Sequence, residues 1–214
     1  MKILVISDIH GSVSAFDKIL SVFKNENCSH MIICGDYLNH GPRNDIPSGY
    51  NTKELAARLN EYKSVITGVR GNCDSEVDQM MLEFPVMAPH TEMLLPCNGR
   101  IVRFFVHHGH LYETEKLLEW TKPGTVIISG HTHIPVLKEM QSLQKEQGAL
   151  AGAGQKGESL PSVQDNEWKN FSSDSYVFIN PGSVSIPKAG SKAGYAVINL
   201  DENTGIPLFK LTEL

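Results

Sequence analysis

Apolar runs alternate with helical repeats along the first part of the chain. Residues 3–6 form a continuous apolar run, and further runs lie at 31–34 and 65–69. After the first run the apolar positions recur at helical spacing, at Phe16, Ile19, Leu20 and Phe23. Short buried strands that alternate with amphipathic helices predict a layered α/β fold.

Capping residues mark two further helices in this part of the chain. Asn51 precedes a helical pattern that contains Leu55, Leu59 and Tyr62. Either Asp74 or Ser75 is suited to cap a short helix. That helix would carry the apolar residues Val77, Met80 and Met81.

The second part of the chain is richer in strand patterns. One short helix is expected near residues 114–120. The candidate strands are residues 91–95, 101–106, 126–129, 176–180 and 195–199.

Residues 141–175 have no steady periodicity and are rich in Gly, Ser, Gln and Lys. This texture predicts an inserted, mobile loop within one domain that spans residues 1–214. One hypothesis is that the insert caps the functional site or an interface. The alternative is a loop with no role in function.

Composition narrows the class of protein. The chain of 214 residues is 41% hydrophobic and 20% charged, as is typical of globular proteins. A net charge of -5 gives no basic field for nucleic acid, and no nucleic-acid recognition module is present. The four cysteines lack CxxC spacing, so we expect reduced thiols and a cytoplasmic location. No run approaches the ~20 apolar residues of a membrane span, so no membrane partner is expected.

Polar clusters follow the strand-like runs, where ligand-binding residues converge in layered α/β folds. Carboxylate, amide and imidazole groups together suit a pair of divalent ions. Asp36 directly follows the second strand, and its two oxygens could bridge metals about 3.5–4 Å apart. The clusters are Asp8 with His10, Asp36, Asn72, residues 107–110, and His131 with His133.

The order D-x-H, G-D, G-N, H-G-H and G-H-T-H resembles the calcineurin-like metallophosphoesterase superfamily. The longer strings SDIHGS, GDYLNHGPRN, VRGNCDSEVDQM, HGHL, SGHTHIPV and NPGSVSIPK are similar to bacterial YfcE-type phosphodiesterases. The similarity covers nearly all of the chain outside residues 141–175. It implies a four-layer α/β/β/α sandwich with the site at one edge of two sheets.

The resemblance also implies two divalent metal ions, expected to be manganese, with iron, zinc, cobalt or nickel as alternatives. His108 directly precedes Gly109 and matches the family ligand, so it is preferred to His107. The implied ligands of the first metal are Asp8, His10, Asp36 and His133. Those of the second metal are Asp36, Asn72, His108 and His131.

The reaction implied by the resemblance is hydrolysis of a small phosphodiester by a hydroxide that bridges the metals. The implied catalytic residues are Asp36, Asn72 and His110. A phosphomonoesterase or nucleotide hydrolase on the same site is the first alternative. A protein-assembly scaffold without catalysis is the second, and a homodimer or higher homo-oligomer is expected from the resemblance alone.

Cys73 departs from the wider family, where a histidine follows the G-N pair and acts near the leaving group. Cysteine is a poorer proton donor, with an ordinary pKa of about 8.5. The YfcE-type subgroup shares this cysteine, so the identity of the general acid stays open among Asn39, His40 and His110.

Substrate contacts are predicted at Asn39, Arg43 and Cys73. Arg43 could bind a substrate phosphate or remain a solvated loop residue. His110 could contact the phosphate or orient a ligand. Residues 180–183, NPGS, form a turn in this interpretation and lie near the metal-binding face by resemblance.

Overall fold

The computed structural model describes residues 1–141 and 167–214. Its helices are α1 (Val13–Asn25), α2 (Thr52–Glu61), α3 (Glu76–Met81) and α4 (Thr114–Trp120). Its first five strands are β1 (Lys2–Ile6), β2 (His30–Ile33), β3 (Ile66–Gly68), β4 (His90–Cys97) and β5 (Arg100–His107). The other five are β6 (Thr125–Ile128), β7 (Pro135–Gln141), β8 (Ser175–Pro181), β9 (Gly194–Leu200) and β10 (Pro207–Glu213).

The strands form two mixed sheets of five strands each. The first has the order β10-β9-β1-β2-β3, in which β1, β2 and β3 are parallel. The second has the order β4-β5-β6-β8-β7, in which β5, β6 and β8 are parallel. Antiparallel strands complete the first sheet at one edge, through β9 and β10, and the second sheet at both edges, through β4 and β7.

Alternating side chains along the strands divide the apolar core into three parts. Val5 and Ile32 of the first sheet pack against Phe104 and Ile128 of the second, in a core between the sheets. Leu4 and other residues on the opposite face of the first sheet pack against α1 and α2. On the outer face of the second sheet, Phe105 and Ile127 pack with Leu117 of α4. The predicted four-layer α/β/β/α sandwich is therefore confirmed.

The predicted helices and strands are present, but the pattern analysis missed β7 and β10. β7 is an edge strand with little burial, and β10 contains the charged residue Lys210 in its centre. Ser75, rather than Asp74, is the N-cap of α3. The apolar residues Val77 and Met80 of that helix are 63% and 83% exposed, so they do not pack into the core.

The predicted boundaries of the insert, 141–175, were too wide. Gln141 belongs to β7 and Ser175 to β8, and Lys169 pairs with Phe209 in an isolated bridge. Residues 142–166 lie outside the described part of the chain. The hypothesis that they cap the site concerns these residues and stays a prediction. The organisation as a single domain stays a prediction. Within residues 1–141 and 167–214, every helix is too short or too polar to span a membrane.

Candidate metal centre

The predicted metal ligands lie on loops that follow β1, β2, β3, β5 and β6, and these loops meet at one edge of the sandwich. The backbone N–H of Asp8 donates to the carbonyl of Gly35 at 3.1 Å, which joins the first two loops. The N–H of Gly130 donates to the carbonyl of His108 at 2.8 Å, which joins the loops after β5 and β6. The N–H of His131 donates to Oδ2 of Asp8 at 3.1 Å, so loops of the two sheets contribute to one polar cluster.

Five of the predicted ligands have a backbone in the left-handed region. Non-glycine residues rarely adopt this conformation, and it costs about 1–3 kcal/mol where the surrounding structure imposes it. In the described part of the chain, eight non-glycine residues have positive φ. Five of them are Asp8 (56°), His10 (49°), Asp36 (56°), His131 (68°) and His133 (59°). Such a concentration of strain at one place is typical of a functional site.

Three buried imidazoles are oriented in the same way. In His10, His108 and His133 the Nδ1 atom lies within hydrogen-bond distance of a backbone carbonyl, so Nδ1 carries the proton. Each Nε2 is directed at the cluster, and the tautomer with its proton on Nδ1 leaves Nε2 as the nitrogen that can bind a metal. The carbonyl partners are those of Asn39 (2.8 Å), Cys34 (2.6 Å) and Ile186 (2.5 Å), respectively.

The Asp36 carboxylate lies between two of these imidazoles. Its Oδ1 accepts a hydrogen bond from the backbone N–H of Cys73 at 2.8 Å, which fixes the side chain. Its Oδ2 is 3.7 Å from Nε2 of His10 and 3.5 Å from Nε2 of His108. One carboxylate oxygen thus faces an imidazole on each of two sides.

Asp8 has one oxygen without a hydrogen-bond partner. Its Oδ2 accepts from the backbone N–H of His131 at 3.1 Å. Its Oδ1 is fully buried and has no hydrogen-bond partner among the described residues, although it lies 3.2 Å from Nε2 of His133 and 3.7 Å from Nε2 of His10. Burial by itself raises the pKa of Asp8, but the interactions with His10 and His133 outweigh it and lower the pKa.

This donor set fits divalent cations. A buried, ionised carboxylate needs a compensating positive charge, and carboxylate oxygen with neutral imidazole nitrogen suits first-row metals and zinc. Asp8, His10 and His133 have ligand atoms within 4.8 Å of one another. The same holds for Asp8, Asp36 and His108, and for His10, Asp36 and the thiol of Cys73.

Asn72 and His131 lie beside His108 on the other side of Asp36. The Oδ1 atom of Asn72 is 3.0 Å from Nε2 of His108. The ring of His131 is 5.1 Å from that of His108, measured between centroids. These residues extend the cluster towards the predicted second metal.

The paired histidines of the H-H-G-H segment lie on different sides of β5. His107 is 4% exposed and contacts Phe105 and Tyr112, with 5.9 Å between ring centroids in each case. Burial lowers its pKa to about 4, so it stays neutral. His110 lies 5.2 Å from the ring of His108, and its buried Nδ1 has no partner among the described residues. Burial, and then the proximity of His108, lower the pKa of His110.

Asp74 joins two of the ligand-bearing loops. It is 3% exposed, and its carboxylate accepts backbone N–H groups from Asp36 (2.8 Å), Tyr37 (2.9 Å) and Gly71 (2.7 Å). Burial, and then the charge of Asp36, raise the pKa of Asp74 to about 7. Sequence reasoning assigned Asp74 only to helix capping, because nothing in the local pattern indicates bonds to a loop so far away along the chain.

Residues 180–183 and the nearby Ser185 hold two more loops in place. Ser183 and Ser185 donate from their hydroxyls to the carbonyl of Asp8, at 2.7 and 3.1 Å. Asn180 donates from its amide to the carbonyl of Gly130 at 2.7 Å. A Cβ atom at Gly130 would lie 1.9 Å from the hydroxyl of Ser7, so only glycine allows this approach. The predicted turn therefore also positions the loops of Asp8 and His131.

A cavity of about 820 Å³ opens beside the cluster. It is bordered by Asp36, by residues of the loop after β2, by Asn72 and Cys73, by residues 131–133, and by Lys188. The predicted substrate contacts Asn39, Arg43 and Cys73 all lie on it, whereas His40 and His110 are not among its described lining residues. Lys188 was missed, since an isolated lysine in a loop carries no signal in the sequence.

Two of the candidate acids already have partners, and the Cys73 thiol is held in its protonated form. The side chain of Asn39 accepts the backbone N–H of Gly41 at 2.8 Å. His40 contacts the hydroxyl of Tyr50 through Nδ1 at 3.4 Å. Burial, and then the nearby charge of Asp36, raise the pKa of Cys73 to about 12, so the thiol stays protonated at neutral pH. Of the three proposed acids, this leaves His110 beside the ligand cluster without a partner on Nδ1 among the described residues.

Comparison with protein families identifies the class. The model described as the calcineurin-like phosphoesterase superfamily domain matches residues 1–203. The chain belongs to this superfamily and is a hydrolase that acts on phosphoric esters. Membership implies divalent metal ions, for which the cluster supplies candidate ligands.

Particular relatives narrow the position of the chain within the superfamily. It is 40% identical over 201 residues to phosphodiesterase YfcE of Escherichia coli K12, which covers 94% of this chain and 89% of that protein. The solved structure of the E. coli phosphoesterase YfcE aligns with a TM-score of 0.71 at 39% identity, over 93% of this chain and 88% of the other. A metallophosphoesterase from Sphaerobacter thermophilus shares the fold at 22% identity, with a TM-score of 0.61 over 100% of this chain and 89% of the other.

Proposed function

We propose that the protein is a binuclear metal-dependent phosphodiesterase that acts on a small substrate. The observation that carries the proposal is the Asp36 carboxylate, whose Oδ2 faces His10 at 3.7 Å and His108 at 3.5 Å. The similarity to E. coli phosphodiesterase YfcE supports a diester, rather than a monoester, as substrate. A phosphomonoesterase or nucleotide hydrolase on the same site is the alternative.

The proposed ligands divide into two sets that share Asp36. One metal would be held by Asp8, His10, Asp36 and His133. The other would be held by Asp36, Asn72, His108 and His131. Two divalent ions so placed would supply hydroxide as the nucleophile near neutral pH and would neutralise charge on the phosphoryl oxygens. Manganese is the proposed metal, and the donor set accepts iron, zinc, cobalt or nickel as well.

Other residues would orient the metal ligands, and some would bind the substrate. The Asn39 carbonyl fixes the proton on Nδ1 of His10, so that Nε2 is free to bind. Asn72 and His110 flank His108, and we assign them contacts with the phosphoryl group. Because the pKa of Cys73 is raised to about 12, we do not assign it the role of general acid. Of the three candidates we favour His110 as the donor near the phosphoryl group, since its Nδ1 has no partner among the described residues. Because the pKa of His110 is lowered, the donor would be the neutral ring rather than a charged imidazolium.

The test is an assay of the metal-stripped protein before and after manganese is added back. The substrates are an aryl phosphodiester and the matching aryl phosphomonoester. Asp36→Asn removes a charge from the proposed bridge, and Asp17→Asn makes the same change on an exposed helix face, where the side chain is 46% exposed. We expect manganese to restore diester hydrolysis in the wild type and in Asp17→Asn. Asp36→Asn should be at least about 100-fold less active, beyond the loss typical of residues that only orient a ligand.

Metal content and substrate preference decide between the alternatives. Two metal ions per chain, measured by inductively coupled plasma mass spectrometry, are expected for the wild type. One ion per chain would overturn the binuclear assignment, and faster hydrolysis of the monoester would favour the alternative enzyme. Bound metal without hydrolysis of either ester would favour a scaffold. Reactivation with each of the five metals tests the choice of manganese.

A further inference from the structure

The cavity beside the metal cluster contains two cationic side chains that the ligand set does not use. Arg43 and Lys188 both line it, and Asp36 is the only carboxylate among its described lining residues. Within residues 1–141 and 167–214, neither cation forms an ion pair with a carboxylate, whereas exposed Lys63 and Lys192 do. Apart from the proposed bridge, the lining is thus positively charged, although the chain carries a net charge of -5.

The backbone at Lys188 is fixed to a proposed metal ligand. The N–H of Lys188 donates to the carbonyl of His133 at 3.3 Å. Ser191 donates to the carbonyl of Lys188 from its N–H at 3.0 Å and from its hydroxyl at 2.7 Å. That hydroxyl also lies 3.3 Å from the carbonyl of His133. The lysine side chain is exposed, but it starts from a point held beside the metal cluster.

Arg43 starts from a separate loop that is also held in place. The N–H of Asn44 donates to the carbonyl of Gly41 at 3.2 Å, and the Asn44 amide donates to the carbonyl of His40 at 2.8 Å. This turn follows Asn39, whose carbonyl bonds to His10. Arg43 and Lys188 therefore reach the cavity from two loops, each anchored to a ligand of the proposed first metal.

The described lining of the cavity contains no phenylalanine, tyrosine or tryptophan. Pro42 has the only purely hydrocarbon side chain among the described lining residues, glycines apart. The other rings in the described lining are the imidazoles of His131 and His133. A nucleobase is normally held by stacking on an aromatic side chain, which is worth about 1–3 kcal/mol per base. The described lining lacks such a ring outside the ligand set. Charge and hydrogen bonds are the directional contacts that these lining side chains offer.

We infer that the natural substrate carries a second anionic group besides the phosphodiester, and that Lys188 binds this group and determines specificity. The inference rests on the proposed phosphodiesterase function, in which the metal cluster holds the phosphoryl group that is hydrolysed. Arg43 on the neighbouring loop adds to the positive potential at the same place. The substrate class is a small polar phosphodiester with a carboxylate or a further phosphate on one of its alcohols.

The test uses 4-nitrophenyl phosphodiesters that differ only in the second alcohol. Ethanol gives a neutral group and choline a cationic one, while glycolate and 2-hydroxyethylphosphonate give anions that contain no second hydrolysable ester. The manganese-loaded wild type should prefer both anionic esters over the ethyl ester in kcat/KM and should disfavour the choline ester. A partly exposed ion pair is worth up to about 1 kcal/mol, so we expect a preference of about 3- to 5-fold. It should shrink at high salt concentration.

Variants assign the preference to one side chain. In Lys188→Gln the ratio of anionic to ethyl ester kcat/KM should fall to about 1, mainly through a higher KM for the anionic esters, and Lys188→Arg should restore the ratio. Lys192→Gln removes the same charge from a lysine on the same loop that pairs with Glu213 and does not line the cavity. This control should keep the wild-type ratio.

The outcomes separate the inference from the function on which it rests. Hydrolysis of all four esters at rates that do not follow their charge, or an unchanged ratio in Lys188→Gln, would overturn the inference and leave the phosphodiesterase intact. Loss of the ratio in both lysine variants would assign it to general surface charge and would also overturn the role of Lys188. Hydrolysis of none of the esters would overturn the proposed function and the inference together.

Discussion

Two polar clusters at opposite ends of β1 differ in how completely their groups are paired. Near the amino end, Glu26 accepts from Lys2 at 3.1 Å and from Lys210 at 2.7 Å. The ring of Trp168 lies 5.7 Å and 5.1 Å from these two ammonium groups. Each charged group of this cluster therefore contacts an opposite charge, and both ammonium groups also lie near an aromatic ring. The cluster is complete without a ligand.

At the carboxyl end of the same strand, acceptors converge without enough donors. The Nε2 atoms of His10 and His133 are only 3.3 Å apart, and Oδ1 of Asp8 has no hydrogen-bond partner among the described residues. The backbone there also lies in the left-handed region. A fold retains such a cluster when something outside the chain completes it, and membership of the superfamily implies divalent metal ions, for which these groups are candidate ligands. The comparison thus distinguishes polar groups that are paired within the fold from polar groups that are suited to bind a ligand.

The largest expected effect comes from substituting, one at a time, two neighbouring histidines that lie on the two sides of β5. His108→Ala removes a proposed ligand, so kcat/KM for a phosphodiester should fall by more than about 100-fold. His107→Phe should change activity by less than about 3-fold, because the ring packs among aromatic side chains and Phe leaves no buried nitrogen unpaired. Activity assays at saturating manganese and thermal unfolding of both variants make the measurement.

The pair of histidine variants also tests the comparison itself. If His107→Phe lost activity as severely as His108→Ala while remaining folded, the aromatic residues that His107 contacts, Phe105 and Tyr112, would be part of the site. The distinction between the two faces of β5 would then fail. Equal metal content in His108→Ala and the wild type would contradict the ligand assignment instead.

A smaller effect is expected at Asp74, which is fully paired but lies next to the unpaired cluster. In Asp74→Asn, one of the two oxygens becomes an amide that cannot accept a backbone N–H. The Asp36 and Gly71 loops should loosen, and manganese affinity should fall by about 10- to 100-fold. A buried donor left unsatisfied costs about 1–3 kcal/mol of stability. Isothermal titration with manganese and chemical denaturation measure the two effects.

Asp78→Asn is the matched control for this prediction. Asp78 is also buried, at 6% exposure, and its carboxylate accepts the N–H and the hydroxyl of Ser75 in the capping box of α3. Loss of a cap costs about 0.5–2 kcal/mol, so its stability should fall as well. Its manganese affinity should not change. Equal losses of affinity in both variants would mean that Asp74 acts only through stability.

Much of the fold and of the candidate site could be predicted from the sequence because the signals are local. Continuous apolar runs mark β1 and β2, and the polar residues that follow them, such as Asp8 and Asp36, lie where parallel strands end. The order of the motifs then fixed the superfamily, which the comparisons confirm. The particular ligand assignments remain predictions that the geometry supports.

The features that were missed depend on contacts between distant parts of the chain. Lys210 interrupts the apolar pattern of β10, and its burial makes sense only with Glu26, 184 positions earlier. Asp74 reads as a helix cap until the loop of Asp36 is placed beside it. A role for Lys188 becomes apparent only when the cavity that it lines is known. Local patterns cannot report such pairings, because they arise only when the sheets have assembled.

The smallest expected effect is at the fully paired cluster near the amino end of β1. Glu26→Gln should lower the free energy of unfolding at pH 7 by about 1 kcal/mol, because two ammonium groups lose a half-buried carboxylate. Glu83→Gln, at an exposed pair in which Lys63 and Glu83 are 51% and 59% exposed, should lower it by less than about 0.5 kcal/mol. Phosphodiesterase activity should be unchanged in both variants. A loss of activity in Glu26→Gln would break the distinction between the two ends of β1.

The dependence of this stabilisation on pH gives a stricter test. The hydrogen bond from Lys210 and, against the opposing effect of burial, that from Lys2 lower the pKa of Glu26 below its ordinary value of 4.5. The folded state therefore binds the proton of Glu26 less tightly than the unfolded state, and the ion cluster contributes its full stability above pH 4.5. As the pH falls through the lowered pKa, that contribution is lost and the difference between wild type and Glu26→Gln should close. Denaturation at a series of pH values from neutral to acid measures it. A difference that persisted at the acid limit would indicate that the substitution weakens packing around Trp168 rather than charge pairing.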